Sequence, residues 1–207
     1  MAVANYAHTH KHYPPAFVAG KDGRPAHSWR TLILPYINGK ELFDAVQFEE
    51  PWNSDSNQPL APQMPRTYAL HGEEYKGNTT TNYLAVVGAE TMWPGATGLP
   101  VDVLKDRSSR TIMIVENKGA KVHWMEPRDL QFASMDFTLG SANGISSRFV
   151  DPAVVTADCS VRRITPNITP ETLIALLSVT SKDNIGLDEN DGWHILPDGR
   201  NRPVAEP

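Results

Sequence analysis

Apolar and polar positions alternate along this chain with two periods, helical at the ends and strand-like in the middle. Residues 3 to 12 read as the close of a helix, which Pro14-Pro15 stops. Residues 16 to 27 are expected to form a polar loop with a turn at Lys21-Asp22-Gly23. Ser28 is placed to cap a short helix over Trp29 to Tyr36, with Trp29, Leu32, Ile33 and Tyr36 as its apolar side. Pro35 and Asn38-Gly39 end it, and Glu41 to Val46 predicts one or two further turns. From Gln47 to Gly77 no period survives, which predicts a long ordered loop. Thr81 to Gly88 (TNYLAVVG) and Thr111 to Glu116 (TIMIVE) carry the β-branched and aromatic content of strands. Between them, Pro94-Gly95 and Gly98-Leu99-Pro100 mark a surface excursion, and Val122 to Met125 predicts a short strand. Val154–Ala157 and Ser160–Ile164 flank a tight two-residue hairpin turn at Asp158 and Cys159. Thr169 caps a helix running from Pro170 to about Ser181, with Leu173, Ile174, Leu176 and Leu177 as its buried stripe. Helices first, antiparallel strands later and one late helix make an α+β fold.

Composition narrows the class of protein without naming an activity. In 207 residues, 40% are hydrophobic and 21% charged, which excludes a wholly disordered chain and an integral membrane bundle. The 17 prolines and 14 glycines imply many turns. Net charge is -5, and most of it lies after residue 182, where Asp183, Asp188, Glu189, Asp191, Asp198 and Glu206 face only Arg200 and Arg202. This predicts a single domain over 1–182 and a flexible acidic tail over 183–207. The rest of the chain is nearly neutral and has no Lys/Arg stripe, so nucleic acid is not an expected partner. With one cysteine, Cys159, no intrachain disulfide forms and the redox compartment stays open. The stretch Val3 to Ala7 reads like the end of a helix rather than a natural start, which predicts an upstream segment.

Candidate chemistry is sparse. His8-x-His10-x-His12 has metal-ligand residues, but on a helix successive pairs diverge by about 200°. No Cys or carboxylate stands beside them, so solvated histidines are expected, with no metal and no cofactor. His27, His71, His123 and His194 lie outside HExxH, CxxC or GxSxG patterns, and Ser108-Ser109 lacks a nucleophile elbow. Asp188-x-Asn190-Asp191-Gly192 resembles a calcium loop but fails its register, because Gly falls one place early and no Glu closes it. Trp29, Trp52, Trp93, Trp124 and Trp193 fit either core anchors or a sugar-stacking platform. If the chain were an enzyme, His27, His123 and Asp158 would be the first residues to test.

The order of several segments is more specific than any of these. His27-Ser-Trp-Arg30, Leu34-Pro-Tyr36, Glu49-Glu-Pro-Trp-Asn53, Thr81 to Gly88, Asp106 to Thr111 before IMIVE, Trp124-Met-Glu-Pro-Arg-Asp129-Leu and Pro170 to Leu177 follow one another as in a large bacterial family. That family has unknown function and prepilin-like N-termini, and the chain resembles it from about residue 4 to 180. Its late H-x9-D-G motif is altered here: Arg148 stands for the His, Asp158 keeps the Asp and Cys159 replaces the Gly. Asp106-Arg107 likewise stands for an Asp-Gly turn, so both turns are expected to be strained if they keep a left-handed backbone. The resemblance implies a pilin-like head, with an N-terminal helix remnant packed on an antiparallel sheet, and an apolar anchoring helix upstream. It implies an extracytoplasmic, non-enzymatic role in assembly or display, with protein partners or self-assembly through that helix. The alternatives are a carbohydrate- or peptide-binding module built on the Trp-rich loops and a hydrolase with a loop-built site.

Overall fold

The computed structural model describes residues 1–70, 72, 74–149, 151–182, 185–187 and 193–195. Helix α1 (Ala2–His10) buries Val3, Tyr6 and Ala7 and ends at Lys11, whose backbone is left-handed (φ 63°). The polar loop expected over 16–27 is instead a hairpin, β1 (Phe17–Ala19) with β2 (Pro25–Ser28). Only its tip keeps the expected turn, with Gly23 at φ +78°. The strands are three and four residues long and carry no clean alternation, so no period marks them in the sequence.

Ser28 does cap α2 (Trp29–Leu32), its hydroxyl accepting from the Arg30 N–H. A 3-10 turn over Leu34–Ile37 completes the expected helix, and α3 (Lys40–Ala45) follows. The long loop holds 3-10 turns at Gln58–Gln63 and Arg66–Tyr68 and no strand among the described residues. The excursion after Trp93 folds back on the segment following α1: Tyr13 N–H donates to Leu99 O and Ala16 N–H to Gly95 O. Gly98 permits this approach, since a Cβ there would lie 2.2 Å from the Tyr13 carbonyl oxygen.

The segment read as one strand over Thr81 to Gly88 is three, each two residues long. β3 (Thr80–Thr81) pairs with β7 (Val122–His123), β4 (Tyr83–Leu84) with β6 (Ile112–Glu116), and β5 (Val86–Val87) in parallel with β8 (Leu130–Gln131). The main sheet runs in the order β10-β9-β6-β4, with β9 (Ala153–Thr156) and β10 (Val161–Arg163) forming the expected late hairpin. Its neighbours are all antiparallel. A bulge in β6 shifts the register between Ile112 and Ile114, and the Met113 carbonyl accepts the Trp93 indole N–H at 2.6 Å.

The sheet separates two cores. On one side Met113, Ala157, Trp93 and Trp29 pack with the buried face of α1. On the other, Ile112, Val115 and Val154 meet Leu173, Leu176 and Leu177 of α4 (Pro170–Leu177). Thr169 caps α4 as expected, but the stripe is shifted: Ile174 is 37% exposed and Ala175 takes its place inside. Two pieces of the expected tail, β11 (Ile185–Leu187) and β12 (Trp193–Ile195), pair antiparallel, with Ile185 and Trp193 in the second core. Packing therefore continues past residue 182, because these two apolar residues outweigh the acidic composition around them. The calcium-like segment 188–192 and residues 196–207 lie outside the described residues. This is an α+β fold.

The late turn also differs from expectation. Thr156 N–H donates to Ser160 O and Cys159 N–H to Thr156 O, so the loop has three residues, Ala157 to Cys159. Only Cys159 is left-handed (φ 68°). A two-residue turn would need positive φ at Asp158 as well; a three-residue loop places it at one position alone. At the other altered turn, Arg107 has φ -128°, so that substitution carries no left-handed strain.

Candidate functional site

Helix α2 begins with Trp29-Arg30, and the Arg30 side chain turns inward. Arg30 is completely buried, and its Nη2 donates to Asp129 Oδ1 at 2.6 Å. It also donates to the Tyr83 carbonyl from Nε (3.3 Å) and Nη2 (2.8 Å), and to Ser28 Oγ from Nη1 (2.8 Å). The same Asp129 oxygen accepts from the Ala85 N–H (2.8 Å) and the Trp29 indole N–H (3.3 Å). The Arg30 guanidinium lies 4.7 Å from the Trp29 ring centre, and Tyr68 hydroxyl donates to Arg30 O at 2.6 Å. Burial pushes the Asp129 carboxyl upward, and the adjacent guanidinium and two N–H donors oppose that push. Burial likewise raises the Tyr68 phenol well above its ordinary range, with Arg30 pulling the other way. Three segments far apart in sequence thus meet in one polar core: His27–Arg30, Thr81–Gly88 and Trp124–Leu130.

The enzyme candidates do not converge. His27 is buried, with Nε2 donating to the Phe48 carbonyl at 3.2 Å and Nδ1 without a partner. Burial lowers its pKa, against the hydrogen bonds to the backbone at Phe48 and Glu50. His123 packs on Trp52 in a tilted contact at 4.8 Å, and its pKa is also lowered by burial, against the charge of Glu126. Asp158 sits in the β9–β10 loop, accepting from Thr156 hydroxyl (2.6 Å) and Ser160 N–H (3.0 Å). Partial burial raises its carboxyl, but these bonds and Arg162 bring it below the ordinary range. Arg148 packs on the Phe149 ring at 5.1 Å, a ring that Arg163 also meets at 5.9 Å. His71 lies outside the described residues, and nothing is described of the His194 side chain.

Of the three early histidines, His10 and His12 lie beside one another around Tyr6, with ring centres 6.0 Å apart, and His8 stands away from them. His8 is exposed, His10 stacks on Tyr6 at 4.1 Å and meets Tyr36 hydroxyl at 3.2 Å, and His12 Nδ1 donates to Tyr13 O. No group of three or more His, Cys, Asp or Glu is placed to hold a metal among the described residues. Nor is any described helix long and apolar enough to cross a membrane.

Trp29, Trp93, Trp124 and Trp193 are buried, which removes them from any sugar platform. Trp52 is half-buried and lines a cleft of about 860 Å³ between the β1–β2 hairpin and loop 48–53. That loop is held from below by Asn57, completely buried, whose amide donates to the carbonyls of Gln47 (3.0 Å) and Pro51 (3.0 Å) and accepts from Gln47 N–H (2.9 Å). Trp52 N–H donates to Ala26 O, tying loop to hairpin. A second, apolar groove of about 540 Å³ runs from the first turn of α1 over Tyr83, Ile114 and Val155 to Cys159.

Neither the Arg30–Asp129 pair nor the Asn57 clamp was legible in the sequence. The one cue to the first was an arginine set inside the apolar run from Trp29 to Leu34. Residues 1–98 match a family model described as a protein of unknown function (DUF1559), a span that takes in the His27–Arg30, Leu34–Tyr36, Glu49–Asn53 and Thr81–Gly88 segments. No curated protein and no solved structure matches the chain.

Proposed function

We propose that this chain is the non-enzymatic, extracytoplasmic head of a pilin-like protein, with a structural or display role. In this reading an apolar helix anchors the protein and assembles it with partners. The observation that carries the reading is the destination of the motif residues. Trp29, Arg30 and Asp129 are spent on joining α2, β4 and the segment before β8 inside the core. Residues buried this way hold a scaffold; they do not meet a substrate. The match of residues 1–98 to a family of unknown function fits the same reading.

The test is the full reading frame with a C-terminal epitope tag, expressed in its native bacterium. The expected result is a membrane-associated protein whose tag is cut by protease added to intact cells or spheroplasts. A product found in the cytosolic fraction and protected from protease overturns the proposal.

A further inference from the structure

The cleft beside Trp52 has the features of a built site. Its floor is rigid, because the buried Asn57 side chain bonds three backbone groups of loop 47–51 and Trp52 N–H is tied to β2. The Trp52 ring packs against His123 in a tilted contact, with ring centres 4.8 Å apart. A held aromatic ring of this kind costs little ordering on binding. The volume, about 860 Å³, is of the size that takes small ligands.

The rim defines the ligand. Arg24 and Lys21 come from the hairpin tip, and Glu49, Glu50 and Asn53 from the loop, all exposed. Lys21 and Glu49 bridge the two walls at 3.0 Å. Lys21 and Arg24 stand against Asp22, Glu49 and Glu50, two cations facing three carboxylates, so the rim is close to balanced and its slight negative excess disfavours an anionic partner. What remains is many donors and acceptors around one aromatic face. Such an arrangement recognises a molecule with apolar C–H faces and a periphery of hydroxyls.

We propose that the Trp52 cleft is a binding site for a neutral oligosaccharide. One pyranose stacks on the Trp52 ring, and its hydroxyls hydrogen-bond Glu50, Asn53 and Arg24. A proline-rich peptide also stacks on tryptophan, but it offers few donors to the carboxylates and amide of this rim.

The experiment uses the position of the five tryptophans. Four are buried, so a ligand that shields indole from acrylamide reports Trp52. The protein is titrated with cellohexaose, chitohexaose, maltohexaose and laminarihexaose, and in parallel with a proline-rich decapeptide. At least one sugar should bind saturably and protect the fluorescence from acrylamide. Trp52→Ala should weaken that binding about tenfold or more. Arg24→Ala, at an exposed position, should weaken it with the melting temperature unchanged, which covers the case in which Trp52→Ala loosens the loop. The proposal is overturned if none of the four sugars binds, if binding survives both substitutions, or if the peptide binds and the sugars do not.

Discussion

Removing one partner of the Arg30–Asp129 pair tests the central feature of the fold. Asp129→Ala deletes the oxygen that accepts from Arg30 Nη2 (2.6 Å), Ala85 N–H (2.8 Å) and Trp29 indole N–H (3.3 Å). It leaves a guanidinium with no exposed surface and no counter-charge at that place. Breaking a buried pair in this way costs about 3–5 kcal/mol. Arg30 keeps the Tyr83 carbonyl and Ser28 hydroxyl, which places the expected cost near the lower end, about 3 kcal/mol. Asp129→Asn keeps one acceptor oxygen and loses the charge, so about 1.5–3 kcal/mol is expected. The double variant Arg30→Met/Asp129→Leu removes both charges and should cost clearly less than the losses of Arg30→Met alone and Asp129→Leu alone added together. Urea unfolding followed by tryptophan fluorescence and far-ultraviolet dichroism measures each variant, compared at a common slope. Single losses below about 1 kcal/mol, the range of an exposed pair, would refute the reasoning. So would a double variant as costly as the sum.

Two further outcomes follow from the backbone and from burial. Cys159 has φ 68° at the one left-handed position of its loop, so Cys159→Gly should raise stability by about 0.5–1 kcal/mol; an unfolding midpoint equal to or below the parent contradicts the assignment of strain. Burial lowers the His27 pKa in the folded protein, against its backbone hydrogen bonds, whereas an unfolded chain protonates it near pH 6.5. The unfolded state therefore binds more protons below about pH 6.5, and stability should fall with acidification from there down to the depressed folded value. The slope from His27 is at most about 1.4 kcal/mol per pH unit. His27→Gln should flatten the curve, and a parent protein equally stable at pH 7 and pH 5 would show that His27 is free to charge.

Where the sequence was readable, a single local cause was enough. Ser28 and Thr169 cap their helices, Pro14-Pro15 follows the end of α1, and Ile112–Glu116 is a strand for its own composition. Together these were sufficient for the α+β class. What escaped was set by distant partners. Arg30 and Asp129 stand 99 positions apart, and nothing near either one signals the other. The hairpin at Phe17–Ser28 is too short to show a period, and Thr81–Gly88 looks continuous because its three partners lie elsewhere. The cleft was visible only as scattered tryptophans; burial of four of them, and the Asn57 clamp beneath the loop, single out Trp52.

The division of Thr80–Val87 among three partners constrains how the chain can be made. β3, β4 and β5 find their mates at Val122–His123, Val115–Glu116 and Leu130–Gln131, all downstream of the span matched by the family model. The Arg30 charge is balanced at position 129, in the same late stretch. During synthesis the first hundred residues therefore leave the ribosome with their pairing edges open and a cation still in search of its carboxylate. The β1–β2 hairpin can close early, but β3, β4 and β5 can all be paired only after about Gln131 has emerged. The boundary of the matched segment is a border in sequence similarity, and it falls between three strands and the partners that pair with them.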